Sequence, residues 1–274
     1  MLEHLNKSED YAFTGTIQLQ KRFSNGVEFN GGYTYSEAKD VMSLTSSIAF
    51  SNYGFATLNG LLNDRELTTS TFSRPHRVVL SGTVNLPADF EFSLIYSGVS
   101  GSPYGYVING DANADGVGGT NREFNDLVYV PRDRDDITMF GTTPAAQNAA
   151  YDSLATFIGS QECLRNQRGQ IMERNSCKNP WINRMDARLT KVVPTFAGQT
   201  MVLSLDVFNL LNLIDSDWGL VKSTSTFEGQ TLVRLRGWDP LYDRGIYSLS
   251  LPIVNRVDPI ASVWRIQLGG KYIW

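Results

Sequence analysis

Apolar and polar residues alternate strictly in seven stretches of this chain. The last is the plainest: Trp264, Ile266, Leu268, Tyr272 and Trp274 occupy every second position, broken only at Gly270, with mostly polar residues between them. A period of two puts one face of a strand in an apolar medium and the other against polar groups. The first stretch, Tyr11 to Phe23, sets Tyr11, Phe13, Ile17, Leu19 and Phe23 against Thr14, Thr16, Gln18, Gln20 and Arg22. Strands follow at Val27 to Ser36, His76 to Leu86, Phe90 to Ser97, Trp181 to Val192 and Met201 to Asn212. Asn25-Gly26 is a tight-turn pair because both residues tolerate positive φ.

The connections carry as much information as the strands. Short turns at Asn25, Pro87-Ala88-Asp89 and Pro194 to Gln199 alternate with long connections over 41–74, 101–179 and 213–258. These long stretches carry no alternating signature and read as loops. Structureless loops of such length are rare in a compact soluble domain. Tight turns on one side and large loops on the other are the asymmetry of an outer-membrane barrel, periplasmic turns against extracellular loops. Counting back from a periplasmic C-terminus, all three short turns fall on the periplasmic side.

Composition narrows the picture further. No run of eighteen apolar residues exists, which excludes a transmembrane helix but not a barrel. Net charge −4 and the lack of a basic stripe argue against a nucleic-acid partner. Arg184, Asp186 and Arg188 share one strand face, which cannot face lipid cheaply and belongs in a polar lumen. Aromatics near strand ends (Tyr11, Phe23, Tyr35, Phe90, Tyr96, Trp181, Trp264, Tyr272, Trp274) suit interfacial girdles. Seven strands are odd in number and would leave two open edges, so further strands are expected upstream. The first ten residues have no signal-peptide core, which fits a chain that begins inside a longer one. Cys163 and Cys177 are the sole cysteines, set in a polar segment, and are expected to form a disulfide outside the cytosol.

Candidate chemistry is sparse. Asp111, Asn113 and Asp115, followed by Gly116, resemble the opening of a calcium loop, with oxygens at positions 1, 3 and 5 and glycine at 6. Position 12 is Arg122 rather than the bidentate Glu, with Glu123 one place late and Asp126 beyond. A calcium-class ion and a plain Asp/Asn/Gly-rich turn both stand as readings. The mixed-sign run Pro131 to Asp136 reads as a self-paired loop. Tyr104, Tyr106, Trp218, Trp238 and Tyr242 lie in the long connections, where they either stack on a ligand or pack the loops. With His4 and His76 the only histidines, neither a His-based zinc site nor an acid–base centre is supported, and an enzyme is not expected. His76, beside Pro75 at a strand start, reads as a structural hydrogen-bonding residue.

Several stretches resemble the C-terminal barrel of TonB-dependent outer-membrane receptors of the Oar-like branch. They are Gly32-Gly-Tyr-Thr-Tyr-Ser-Glu-Ala-Lys-Asp40, Arg74-Pro-His-Arg-Val-Val-Leu-Ser-Gly82, Arg174-Asn-Ser-Cys-Lys-Asn-Pro-Trp181, Asn183-Arg-Met-Asp-Ala-Arg-Leu189 and Asp206-Val-Phe-Asn-Leu-Leu-Asn212. To these add the closing strand, where Gln267, Gly269, Tyr272 and Trp274 resemble the signal read by the barrel-assembly machinery. The resemblance spans almost the whole chain and implies an all-β fold. Residues 1–274 would be the C-terminal part of an antiparallel transmembrane barrel, about seven strands of about 22. It further implies residence in the lipid of a Gram-negative outer membrane and import of a scarce nutrient (siderophore, glycan or peptide). TonB would act through an N-terminal plug absent from this sequence. The rival readings are a non-transporting adhesin or scaffold on the same barrel, and a soluble β-sandwich binding module.

Overall fold

The structure, a computed structural model, describes residues 8–61, 64–118, 125–225 and 229–274. Seven long strands form one antiparallel sheet in chain order: β1 (Tyr11–Arg22), β2 (Val27–Asp40), β3 (His76–Leu86), β4 (Phe90–Val99), β6 (Ile182–Pro194), β7 (Thr200–Phe208) and β10 (Arg265–Ile273). These are the seven strands that the alternation predicts. Two bounds move appreciably. β2 continues to Asp40, and β7 stops at Phe208 instead of running to Asn212. Asn209 adopts a left-handed backbone (φ 55°) and turns the chain into the short helix Leu210–Ile214. Edge strands β1 and β10 do not pair with each other, so the sheet is open among the described residues.

Register aligns the apolar positions of neighbouring strands on one face. Ile17 lies opposite Tyr33, and Tyr33 opposite Val78. Leu94 lies opposite Ala187, Ala187 opposite Val207, and Val207 opposite Ile266. No large apolar side chain on this face is buried, and Ile17 and Leu268 are 76% and 80% exposed. A sheet that leaves such a face uncovered needs an apolar medium, since contiguous exposed patches of this size are foreign to water-soluble monomers. Polar residues on the apolar face sit only towards the strand ends: Lys21 and Lys191 near the tight turns, Glu37, Lys39, His76 and Asn183 near the long connections. Asn183 to Lys191 covers roughly 26 Å along β6, close to the height of a barrel's lipid band. The lysines bend back over aromatic rings, Lys21 Nζ 5.7 Å from Phe23 and Lys191 Nζ 4.7 Å from Phe90, keeping the charge at the boundary.

The opposite boundary is aromatic. Tyr33 OH lies 2.8 Å from His76 Nδ1, and His76 stacks on Tyr33 and Trp181. His76 thus has the structural hydrogen bond expected of it. The other face carries Thr16, Thr34, Thr83, Ser93 and Arg188, with Thr16–Thr34 and Thr83–Ser93 hydroxyl pairs at 3.0 Å. Val79 and Ile95 are apolar exceptions in mid-strand on it, and Ile182, Val192, Val202, Phe208 and Ile273 are others towards the strand ends. The tight turns use positive φ where the hairpin requires it, at Gly26 (81°) and at Ala88 and Asp89 (61° and 57°).

The long connections are not structureless, and here the expectation from sequence fails. They fold together into one body that holds the main hydrophobic core. Its sheet runs Thr138–Met139, β9 (Arg244–Leu249), β8 (Gly229–Asp239), β5 (Pro103–Asn109), Cys177–Lys178. β5 and β8 are parallel, with Gly229 opposite Gly105. Helix α1 (Ala49–Phe55) lies in the first connection and α2 (Pro144–Ser160) in the second. Thr143 caps α2 by accepting the Ala146 N–H, Pro144 opens it, and Tyr151, Leu154 and Ile158 enter the core one turn apart. There they meet Tyr106, Val107, Leu232 and Val233, all nearly inaccessible. Tyr104 and Tyr106 therefore pack the body, and Trp218, Trp238 and Tyr242 are the exposed members of the aromatic set. Among the described residues no helix is long and apolar enough to cross a membrane.

The body is stapled by a disulfide between Cys163 and Cys177 (Cα–Cα 5.2 Å), the pairing expected from sequence. Loop-closure entropy assigns a bridge of this span about 3 kcal/mol. Both thiols should resist alkylation in native, non-reduced protein. Reduction should raise protease sensitivity in 101–179 before the wall is affected, which peptide mapping by mass spectrometry checks.

Candidate functional site

Arg184, Asp186 and Arg188 all lie on the polar face of β6 and are tied in three different ways. Arg188 makes a two-point ion pair with Asp206 on β7 (Nε–Oδ1 2.5 Å, Nη2–Oδ2 3.2 Å). Asp186 accepts the Asn209 N–H at 2.7 Å, and Arg184 donates to the Ala261 carbonyl at 3.0 Å. The Asp206–Asn212 segment is thereby a strand-to-loop corner. Asp206 anchors it, and Asn209 Nδ2 holds the Gly219 and Ser262 carbonyls at 3.0 and 2.7 Å. Asn212 Nδ2 holds the carbonyls of Ser216 and Trp218 at 3.0 Å each. Gly219 has no room for a side chain, since a Cβ would stand 2.2 Å from Asn209 Oδ1.

The Arg174–Trp181 segment is a latch between body and wall. Arg174 is fully buried, with Nη2 2.5 Å from Asp40 Oδ1 at the end of β2 and Nε 2.9 Å from Thr68 Oγ1. Asn175 Nδ2 donates to the Thr69 carbonyl, and Asn179 Nδ2 to Ser102 Oγ and the Ser225 carbonyl. Nothing in the sequence marks Arg174 as buried, because its partners lie 106 and 134 positions away. Of the closing-strand residues, Gln267 and Gly269 lie on the polar face, while Tyr272 and Trp274 have the apolar parity.

At Asp111-Ala-Asn113-Ala-Asp115 the side-chain oxygens turn onto the loop's own backbone. Asp111 accepts the N–H groups of Asp115 and Gly116 at 3.0 Å, Asn113 that of Asp115, and Asp115 that of Val117. This is Asx-turn chemistry. Arg122 and Glu123 lie outside the described residues. Among the described residues no group of three or more His, Cys, Asp or Glu is arranged to hold a metal ion. The expected self-pairing of 131–136 is present: Arg132 grips Asp136 through Nε and Nη2, each at 2.9 Å, and holds that carboxyl well below the usual range.

Beside this loop, within the body, lies a cavity of ≈ 490 Å³, a size suited to a small organic ligand. Ile108 of β5, Leu127, Ile137 and Val233 of β8 give it apolar walls, and Trp238, Tyr129 and Tyr247 add aromatic ones. Asn113, Asn125, Asp126, Asp136, Asp243 and Arg244 are its polar lining among the described residues. Asp126 is 8% exposed; its Oδ2 accepts the Ala112 N–H at 2.7 Å, and no hydrogen bond reaches Oδ1 from the described residues. Asn125 is 3% exposed; its Nδ2 donates to Asp115 Oδ2 at 2.9 Å, and its Oδ1 has no partner. The sequence hint was small: an Asn-Asp pair just ahead of the apolar run Leu127 to Val130.

Burial pushes the Asp126 carboxyl up from 3.8 to about 6, with Asp115 and Asp111 adding to the shift, and also raises Tyr247, which feels Asp126 as well. A carboxyl whose pKa rises on folding favours the fold when protonated. Its contribution is therefore largest below about pH 4 and is lost as pH climbs past about 6. Asp126→Asn should accordingly melt higher than the native chain at pH 7, with the gap closing near pH 4, as thermal unfolding at the two pH values would show.

An open antiparallel sheet with an uncovered apolar band, a polar opposite face, tight turns at one end and a folded loop body at the other defines a wall of a membrane-spanning β-barrel. Residues 14–227 match the family described as outer membrane beta barrel domain, and the chain belongs to that family. It is an outer-membrane β-barrel protein of the Gram-negative type. Comparison with curated proteins returns no match.

Proposed function

We propose that this chain is the wall and loop-body portion of a TonB-dependent receptor that imports a scarce nutrient. One observation carries the reading: the long connections are built into a cored body with a ligand-sized cavity, over a polar face lined by Arg188, Asp206, Thr190 and Ser204. A scaffold that only holds place in the membrane needs neither. The resemblance to Oar-like receptors supports a barrel of about 22 strands around a plug. In that arrangement strands from elsewhere in the full protein satisfy the free edges of β1 and β10, and TonB acts through the plug. Tyr272 and Trp274 serve recruitment of the barrel-assembly machinery.

The test uses Thr190→Cys, a polar-face position, in cells carrying the full-length protein. A plugged, energised receptor labels with an external membrane-impermeant maleimide only while TonB and the proton gradient are intact. Labelling that ignores both would mean an open pore. No labelling under either condition would favour the scaffold reading.

A further inference from the structure

We propose that the cavity between β5, β8 and β9 receives a small organic cation, an ammonium group carried on an apolar or aromatic body. The inference rests on the receptor reading above for its biological purpose, although the chemistry of the site stands by itself. Among the described residues the lining carries three carboxylates, Asp126, Asp136 and Asp243, against one cation, Arg244. Arg244 keeps its charge and offsets one of the three, with Nε donating to Thr138 Oγ1 at 2.7 Å and the guanidinium 4.7 Å from the Tyr242 ring centre. Asp136 is taken by Arg132 from outside the cavity.

Asp126 lines the cavity with an Oδ1 that no hydrogen bond reaches from the described residues, and on the neighbouring residue Asn125 Oδ1 is buried with no partner. Buried acceptors are normally satisfied, and a charged one left unmatched is costly. An ammonium supplies up to three donors and the opposite charge in one group. Trp238 and Tyr247 place aromatic rings, which favour the same charge, in the lining, while Ile108, Leu127 and Val233 suit a hydrocarbon body. An anion would meet like charge at Asp126. A neutral alcohol could donate to one acceptor and would leave the carboxylate's charge unmatched. Among the described residues, the ionisable groups that bear on Asp126 are Asp111 and Asp115 in the preceding loop and Tyr247 on β9. None of them supplies a positive charge.

Three near-isosteric probes separate these cases: 2-phenylethylammonium, 2-phenylethanol and 3-phenylpropionate, titrated into the detergent-solubilised protein by calorimetry at pH 7.5. The expected order is ammonium first, by tenfold or more over the alcohol, with the carboxylate weakest. Asp126→Asn keeps an acceptor for the Ala112 N–H and should lower ammonium affinity at least tenfold with an unchanged near-ultraviolet dichroism spectrum. Equal binding of the three probes, preference for the carboxylate, or no binding at all overturns the proposal. Ammonium affinity untouched by Asp126→Asn does so as well. If that variant does not fold, the order of the probes on the native chain decides alone. The maleimide experiment is independent of this one. Energy-independent labelling with a clear ammonium preference sinks transport and keeps the site, and the converse sinks the site alone.

Discussion

Arg174→Met should detach the loop body from the wall while leaving the wall inserted. The native guanidinium is buried without access to solvent and spends its donors on Asp40, Ser43 and Thr68, two of which lie in the first long connection. Methionine keeps most of the volume but removes every donor. The Asp40 carboxylate retains only the hydroxyls of Ser43 and Ser70. Breaking a buried pair from one side typically costs 3–5 kcal/mol, because the surviving charge stays desolvated. Limited proteolysis of outer-membrane fractions should then cut within 41–74 and 101–179 while the wall strands stay protected. The double variant Arg174→Met with Asp40→Leu should recover much of the loss, since an apolar replacement of the whole pair removes the stranded charge. A single variant as resistant as the native chain would show that the latch is dispensable.

Leu205→Arg should block stable membrane insertion, and Thr190→Arg should not. The two positions lie on adjacent strands with opposite parity. Leu205 is paired with Leu189 and Leu268 in the middle of the apolar band, and Thr190 with Ser204 and Glu91 on the polar face. Arginine on the lipid face near the bilayer midplane costs about 2–4 kcal/mol, and a lumen position carries no comparable penalty. Opposite Glu91, the Thr190 substitution gains a neighbour of opposite charge. Heat-modifiable migration on gels and the yield in washed outer membranes report the difference. Equal yields for both would mean that the parity assigned to these faces is wrong.

The contrast between those variants shows where the sequence could be read. The seven wall strands were legible because each meets apolar surroundings on one face and polar ones on the other, so every second residue announces its side. β5 defeats that rule. Pro103 to Ile108 are all buried, covered on both faces, and no alternation survives. β8 is similar where Leu232 and Val233 are buried side by side. Helix α2 did carry a legible signal, the Thr143-Pro144 start and the spacing of Tyr151, Leu154 and Ile158, but it sat in a stretch read as loop. The strand reading of Leu210 to Asn212 failed because an apolar run cannot by itself tell strand from helix. Asn209 at positive φ decides it. At the cavity, Asp126 was visible only as a late residue in a calcium-like motif. Its importance comes from its place in the cavity lining, with no donor to Oδ1 among the described residues, and no local pattern encodes that.

The way the loop body is assembled also sets an order of events. Its central pair joins Pro103–Asn109 to Gly229–Asp239 in parallel, two segments more than a hundred residues apart that leave the wall at different strands. Closing so long a span is slow and brings no reward until both ends have arrived. The body's core can therefore condense only after β4, β6 and β7 have delivered their outer ends to the same side of the membrane. The body's core is therefore expected to be the last part of the chain to form, after the wall that carries it.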